Sequence, residues 1–68
     1  MTFRRYLALS TDHPDPEISA LARDYGMSIT GETVADVRRE LLPWADYDQA
    51  GALDRAAEEF AAVGHGQR

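Results

Sequence analysis

The chain of 68 residues has no cysteine, no lysine and a single tryptophan. Each shortage closes off a class of protein. Without cysteine there is neither a disulfide framework nor a thiolate metal site. The two histidines, His13 and His65, lie too far apart to form a paired-histidine metal motif. No apolar run approaches the roughly 20 residues that span a bilayer, and the hydrophobic stretch in "MTFRRYLALS" is shorter than a secretory signal requires. The expectation is a cytoplasmic protein with no membrane contact and no cofactor. Basic charge is also scarce, since seven arginines stand against twelve acidic residues for a net charge of -5. The deficit is spread along the chain: residues 1–42 carry five arginines against seven acids, and residues 43–68 two against five.

A chain of this size makes one domain and buries only about 60% of the surface that it exposes when unfolded. Small scaffolds usually need a staple. With disulfides and metals set aside, the expected staple is a partner chain or a second copy, as in a homodimer.

Helix punctuation is clearest around residues 15–26. Asp15 can cap, Pro16 suits the first helical position, and Gly26 suits a left-handed residue after the end. Between them Ile18, Leu21, Ala22 and Tyr25 recur at the spacing of one buried helical face. A second helix is expected from near Thr30 to Leu42, ended because Pro43 disfavours helical geometry in the residue before it. Its inner stripe is Val34, Val37 and Leu41 with Leu42 beside them, and Glu32, Asp36, Arg39 and Glu40 fall opposite. Arg38 stands at the stripe's edge, where its stem can cover core atoms while its guanidinium reaches outward.

A third helix is predicted to begin at Asp46, with Gln49 reaching back in a capping box. Leu53, Ala56, Ala57, Phe60 and Val63 form its inner face and Gly64 its stop. Gly51 in its first turns costs roughly 1 kcal/mol against alanine, which implies close packing or a frayed start. "FRRYLALS" fits a helix with Phe3, Tyr6 and Leu7 inward, or a strand with Phe3, Arg5, Leu7 and Leu9 on one face; the helix is preferred. Residues 12–15, "DHPD", read as a turn. The expected fold is therefore all-α, a small bundle of three to four short helices over residues 1–63, followed by a disordered tail at 64–68. A shift of thirty-five residues also lays "TDHPDPEISALARDY" over "DYDQAGALDRAAEEF". Two helical hairpins would produce such a period, and so would a chance match of two short segments.

The run "ALARDYGMSITGETVADVRREL" resembles the helix-turn-helix family: an alanine four residues before a turn glycine, a serine two residues after it, then threonine-valine. The resemblance covers the middle third of the chain. It implies a second helix lying in the major groove, with Thr30, Glu32, Thr33 and Asp36 toward the bases and Arg38 and Arg39 toward phosphates. The family's turn is shorter by two residues, and no half of this chain has the cationic excess on which DNA affinity rests. Nucleic acid is accordingly the lesser expectation. In layout the chain also resembles small bacterial antitoxins, which join a short DNA-binding region to an acidic, aromatic tail that wraps a basic toxin. "LLPWADYDQAGALDRAAEEF" has that character, with Trp44 and Tyr47 beside Asp46 and Asp48.

Other chemistries fall short on their own residues. "DYDQAGALD" places Asp46, Asp48, Gly51 and Asp54 at EF-hand positions, but Ala50 replaces a ligand and Ala57 stands where the bidentate glutamate belongs. Ser10, Ser19 and Ser28 belong to no nucleophile motif, and no phosphate-binding glycine loop appears, so no enzyme activity is expected. Aromatics and arginine dominate protein–protein hot spots. The candidate contact residues are therefore Arg38, Arg39, Trp44, Tyr47, Asp46 and Asp48, engaging a basic protein partner. The competing reading of Trp44 is a plug buried between the last two helices.

Overall fold

A computed structural model describes residues 1–63, which form four α-helices and one 3-10 turn, with no strand among the described residues. The helices are α1 (Phe3–Ala8), α2 (Pro16–Tyr25), α3 (Val34–Leu41) and α4 (Tyr47–Ala62), and the 3-10 turn is Ser10–Asp12. The fold is all-α, and none of these helices is long and apolar enough to cross a membrane. The expected stop at Gly64 and the tail at 64–68 lie outside the described residues.

The N-terminal segment takes its helical option. Thr2 caps α1 by accepting from the Arg5 amide at 3.2 Å, and Phe3 and Leu7 are buried one turn apart. A strand would have put Arg5 on the face of Phe3 and Leu7. The helix turns Arg5 and Leu9 to solvent instead.

α2 is built as its punctuation implies, with Asp15 accepting from the Glu17 amide at 2.9 Å and Ile18, Leu21 and Ala22 buried. Gly26 departs from expectation, because its φ of -56° and ψ of -31° are right-handed rather than left-handed. Its glycine identity has a different cause. A Cβ there would lie 3.1 Å from the Ala8 Cα and 2.4 Å from the Ala22 carbonyl oxygen, so α1 can approach the end of α2 only over a bare backbone.

The second expected helix begins later than Thr30. Thr33 caps it by accepting from the Asp36 amide at 3.1 Å, and the first helical residue is Val34. What removes residues 30–33 from the helix is Glu40. Its carboxylate reaches back from the last turn of α3 and accepts from the Thr30 amide (3.0 Å), the Gly31 amide (3.0 Å) and the Thr30 hydroxyl (3.2 Å). The Arg4 amide, a helix-start donor with no partner inside α1, meanwhile donates to the Glu32 carbonyl at 3.2 Å. Residues 26–33 thus form an ordered strap that buries Ile29 and ties the start of α1 to α3.

α3 also ends for a reason other than the expected one. Leu42 keeps right-handed geometry (φ -57°, ψ -35°) and donates to the Arg38 carbonyl at 2.9 Å, despite preceding Pro43. The ladder stops because proline has no N–H to continue it. Leu42 is exposed rather than packed beside Val37 and Leu41, which are buried.

α4 starts at a complete capping box, the Asp46 carboxylate accepting from the Gln49 amide at 2.8 Å and the Gln49 side chain accepting from the Asp46 amide at 3.0 Å. Leu53, Ala56 and Phe60 are buried as expected, joined by Ala52, which the pattern did not single out. Val63 is not part of that face: it caps the helix end and is exposed. Gly51 is not closely packed either, since a Cβ there meets only the Arg55 Nη1 at 3.5 Å. The core gathers Phe3, Leu7, Leu21, Val37 and Leu53, with the Phe3 and Phe60 rings edge-on at 5.4 Å. Of the thirty-five-residue period, only the inner positions of α2 and α4 correspond, Ile18 and Leu21 with Leu53 and Ala56. The caps Asp15 and Asp46 are 31 residues apart, and the buried Phe3 and Leu7 align with the unburied Arg38 and Leu42, so the halves are not copies of one hairpin.

Candidate protein-interaction surface

The α3–α4 corner is short and held at both ends. The amides of Trp44 and Ala45 both donate to the Leu41 carbonyl at 2.9 Å, closing the chain back on α3, and the Asp46 box fixes the start of α4. Trp44 is 78% exposed and Tyr47, the first residue of α4, is 93% exposed. Trp44 is therefore no plug between helices. Leu42, at the end of α3, is exposed too, and Asp46 and Asp48 flank Tyr47 in the chain.

Of the six residues singled out from sequence, Trp44, Asp46, Tyr47 and Asp48 share this corner and the two arginines do not join them as free cations. Arg38 is bound through Nη1 to the Asp54 carboxylate of α4, so its guanidinium is a tie between α3 and α4. Arg39 pairs with Asp36 at 3.5 Å and lines a shallow hollow with Thr30, Gly31 and Glu40, beside the strap. Sequence reasoning missed two neighbours of Tyr47. Glu17, from the first turn of α2, and Asp54 line the same surface hollow as Tyr47 and Asp48. Glu17 is 30 positions from Tyr47 in the chain, and nothing in the local pattern announces that juxtaposition.

Charge on the described surface is mostly consumed in local pairs. Arg4 meets Glu32 at 3.7 Å, and Arg55 bridges Asp15 (3.0 Å) and Glu17 (2.7 Å) across the α2–α4 contact. The Arg55 hydrogen bond holds the Asp15 carboxyl below the usual carboxylate range, and the two carboxylates raise Arg55 in turn. Among the described residues only Arg5 and Arg23 lack an acidic partner, whereas Asp12, Asp24, Glu40, Asp46, Asp48 and Glu58 lack a basic one.

A second polar cluster lies across α1 and α4. The Tyr6 hydroxyl donates to Glu59, and His13 Nε2 stands 2.6 Å from the same carboxylate oxygen. His13 Nδ1 accepts from the Asp15 amide at 2.9 Å, so the proton of the neutral ring belongs on Nε2, facing Glu59. The Tyr6 and His13 contacts hold the Glu59 carboxyl low, and partial burial followed by Glu59 itself pushes the Tyr6 phenol up. The cluster pins the 13–15 turn against α4.

Among the described residues no group of three or more His, Asp or Glu side chains is placed to hold a metal. The EF-hand-like letters fall on a helix cap and the continuous helix after it, a rod that cannot curl around a cation. No protein-family model, curated protein or solved structure matches the chain.

Proposed function

We propose that this protein is a small protein-binding module, an inhibitor, antitoxin or accessory subunit, whose α3–α4 corner engages a basic partner in the cytoplasm without catalysing a reaction. The observation that carries this reading is the exposure of Trp44 and Tyr47 on a doubly anchored corner. A chain with so small a core has every reason to bury its one tryptophan, yet holds it in solvent. Rigid, exposed aromatics are the usual anchors of protein interfaces, because they bury much area at little entropic cost. Asp46 and Asp48 beside them, which have no basic partner among the described residues, favour a cationic surface opposite. Acids arrayed in this way also suit imitation of nucleic acid, occupying a basic groove.

The alternative is a dimeric helix-turn-helix regulator. Two features weigh against it: residues 26–33 make a connection of eight residues where the motif uses three or four, and four of the six described arginines are already paired with acids. A pull-down from the native host with the wild type and a Trp44→Ala/Tyr47→Ala double variant separates the two. The expected result is a stoichiometric basic protein retained by the wild type and lost by the variant at unchanged helical circular dichroism. Micromolar binding to random duplex DNA that falls steeply with salt would instead favour the regulator.

A further inference from the structure

A second open surface lies at the other end of α2. The C-terminal end of α1 and the turn after α2 enclose a shallow groove whose walls are Arg4, Arg5, Ala8, Leu9, Gly26 and Met27. Its apolar side chains are as unusual as the aromatics of the corner, with Met27 88% and Leu9 63% exposed. Its charge is opposite. Arg5 has no acidic partner among the described residues, and Arg4 keeps only the 3.7 Å contact with Glu32. The Gly26 backbone, which no Cβ can cover, gives the groove its floor.

The acidic corner touches the start of α2, where Asp46, Asp48, Glu17 and Ala20 share one hollow, and the groove lies past the end of α2 at Gly26 and Met27. From Leu21, which also lines that hollow, to Gly26 the helix axis rises about 7.5 Å. One copy cannot close its own corner onto its own groove. We infer that copies of this chain associate head to tail, the Trp44–Tyr47 corner of one seated in the Arg4–Arg5–Leu9–Met27 groove of the next. Charge selects this arrangement over a symmetric one. Corner against corner sets Asp46 and Asp48 of both copies together, and groove against groove does the same to Arg4 and Arg5. Head to tail, the arginines meet the carboxylates and can lie over the indole face, while Met27 and Leu9, a flexible and a branched apolar side chain, meet the rings. Such an interface is heterologous and does not close at two copies. It also occupies the partner-binding corner, so assembly and partner capture exclude each other at that copy. The inference rests on the corner being a contact surface, as proposed above, and not on what the basic partner is.

Sedimentation equilibrium of the full chain tests it. The wild type is expected to show an average mass that climbs with concentration past twice the 7.6 kDa monomer. The climb should be suppressed when salt rises from about 0.01 M to about 1 M, which shortens the Debye length from about 30 Å to about 3 Å. Met27→Glu spoils the groove and Trp44→Ala spoils the corner, both at exposed positions where folding is untouched. Each variant alone is expected to be monomeric, and their equimolar mixture is expected to form a dimer that stops at two, because each contributes one intact face. A wild type that stays monomeric at every concentration overturns the inference while leaving the partner reading standing. A variant that dimerises alone overturns it too, since that requires a symmetric contact.

Discussion

At Glu40 a side chain assigned by its position to the solvent face instead organises a loop. Its carboxylate collects the amides of Gly31 and Thr30 and the Thr30 hydroxyl, and the Gly31 and Thr30 amides hold its pKa below the usual carboxylate range. A group whose folded pKa is depressed contributes stability that is present above its unfolded value and lost as pH falls through the folded value. Asp15 and Glu59, likewise depressed by Arg55 and by Tyr6 with His13, carry the same sign. Acidification below about pH 4 is therefore expected to loosen the 26–33 strap, seen as fast exchange of the Thr30 and Gly31 amides relative to their intrinsic rates at the same pH. Glu40→Gln should show that fast exchange already at neutral pH; an unchanged exchange rate in the variant would remove Glu40 from this role. None of this was legible locally, because the clasp joins residues nine and ten positions apart through one rotamer. Gly26 misled for a similar reason: its glycine answers to the passing Ala8 backbone, which only the fold brings near.

Elements marked at their own ends were readable, and those settled by distant contacts were not. α2 and α4 announce themselves through Asp15–Pro16 and the Asp46–Gln49 box, and both begin where those residues say. The start of α3 was misplaced because two threonines, Thr30 and Thr33, offer equal caps and Glu40 decides between them. At the corner, the sequence identified Trp44, Tyr47, Asp46 and Asp48 as a group but could not tell an outward Trp44 from an inward one. That choice is made by the packing of the whole chain, which leaves Trp44 78% exposed. Two stability changes follow at this scale. Asp46→Ala removes the cap and is expected to cost about 1 kcal/mol, read by chemical denaturation. Gly51→Ala has room for its Cβ in a regular helical turn, and is expected to stabilise by about 0.5–1 kcal/mol. A destabilised Gly51→Ala would mean that the bare backbone is needed for contact after all.

For the whole molecule, the small core and the dressed surface belong to one account. Total stability for a chain of this length is on the order of 3–10 kcal/mol, and Leu53 is fully buried in the core. Leu53→Ala is expected to cost about 2–5 kcal/mol, enough to leave a large unfolded fraction at 37 °C by circular dichroism. Against that narrow margin the chain still leaves Trp44, Tyr47, Met27 and Leu9 in water, at two ends of opposite charge. These are the apolar groups that the proposed contacts with other chains would cover.

The single tryptophan makes the central claim directly observable, because all indole fluorescence comes from the corner itself. The measurement is acrylamide quenching of Trp44 at a concentration where the chain is monomeric, alone, with the captured partner, and with random duplex DNA. The account predicts full accessibility alone and with DNA, and strong protection with a blue-shifted emission at one equivalent of partner. A partner that binds while Trp44 stays as accessible as before, or protection brought about by DNA instead, would contradict it.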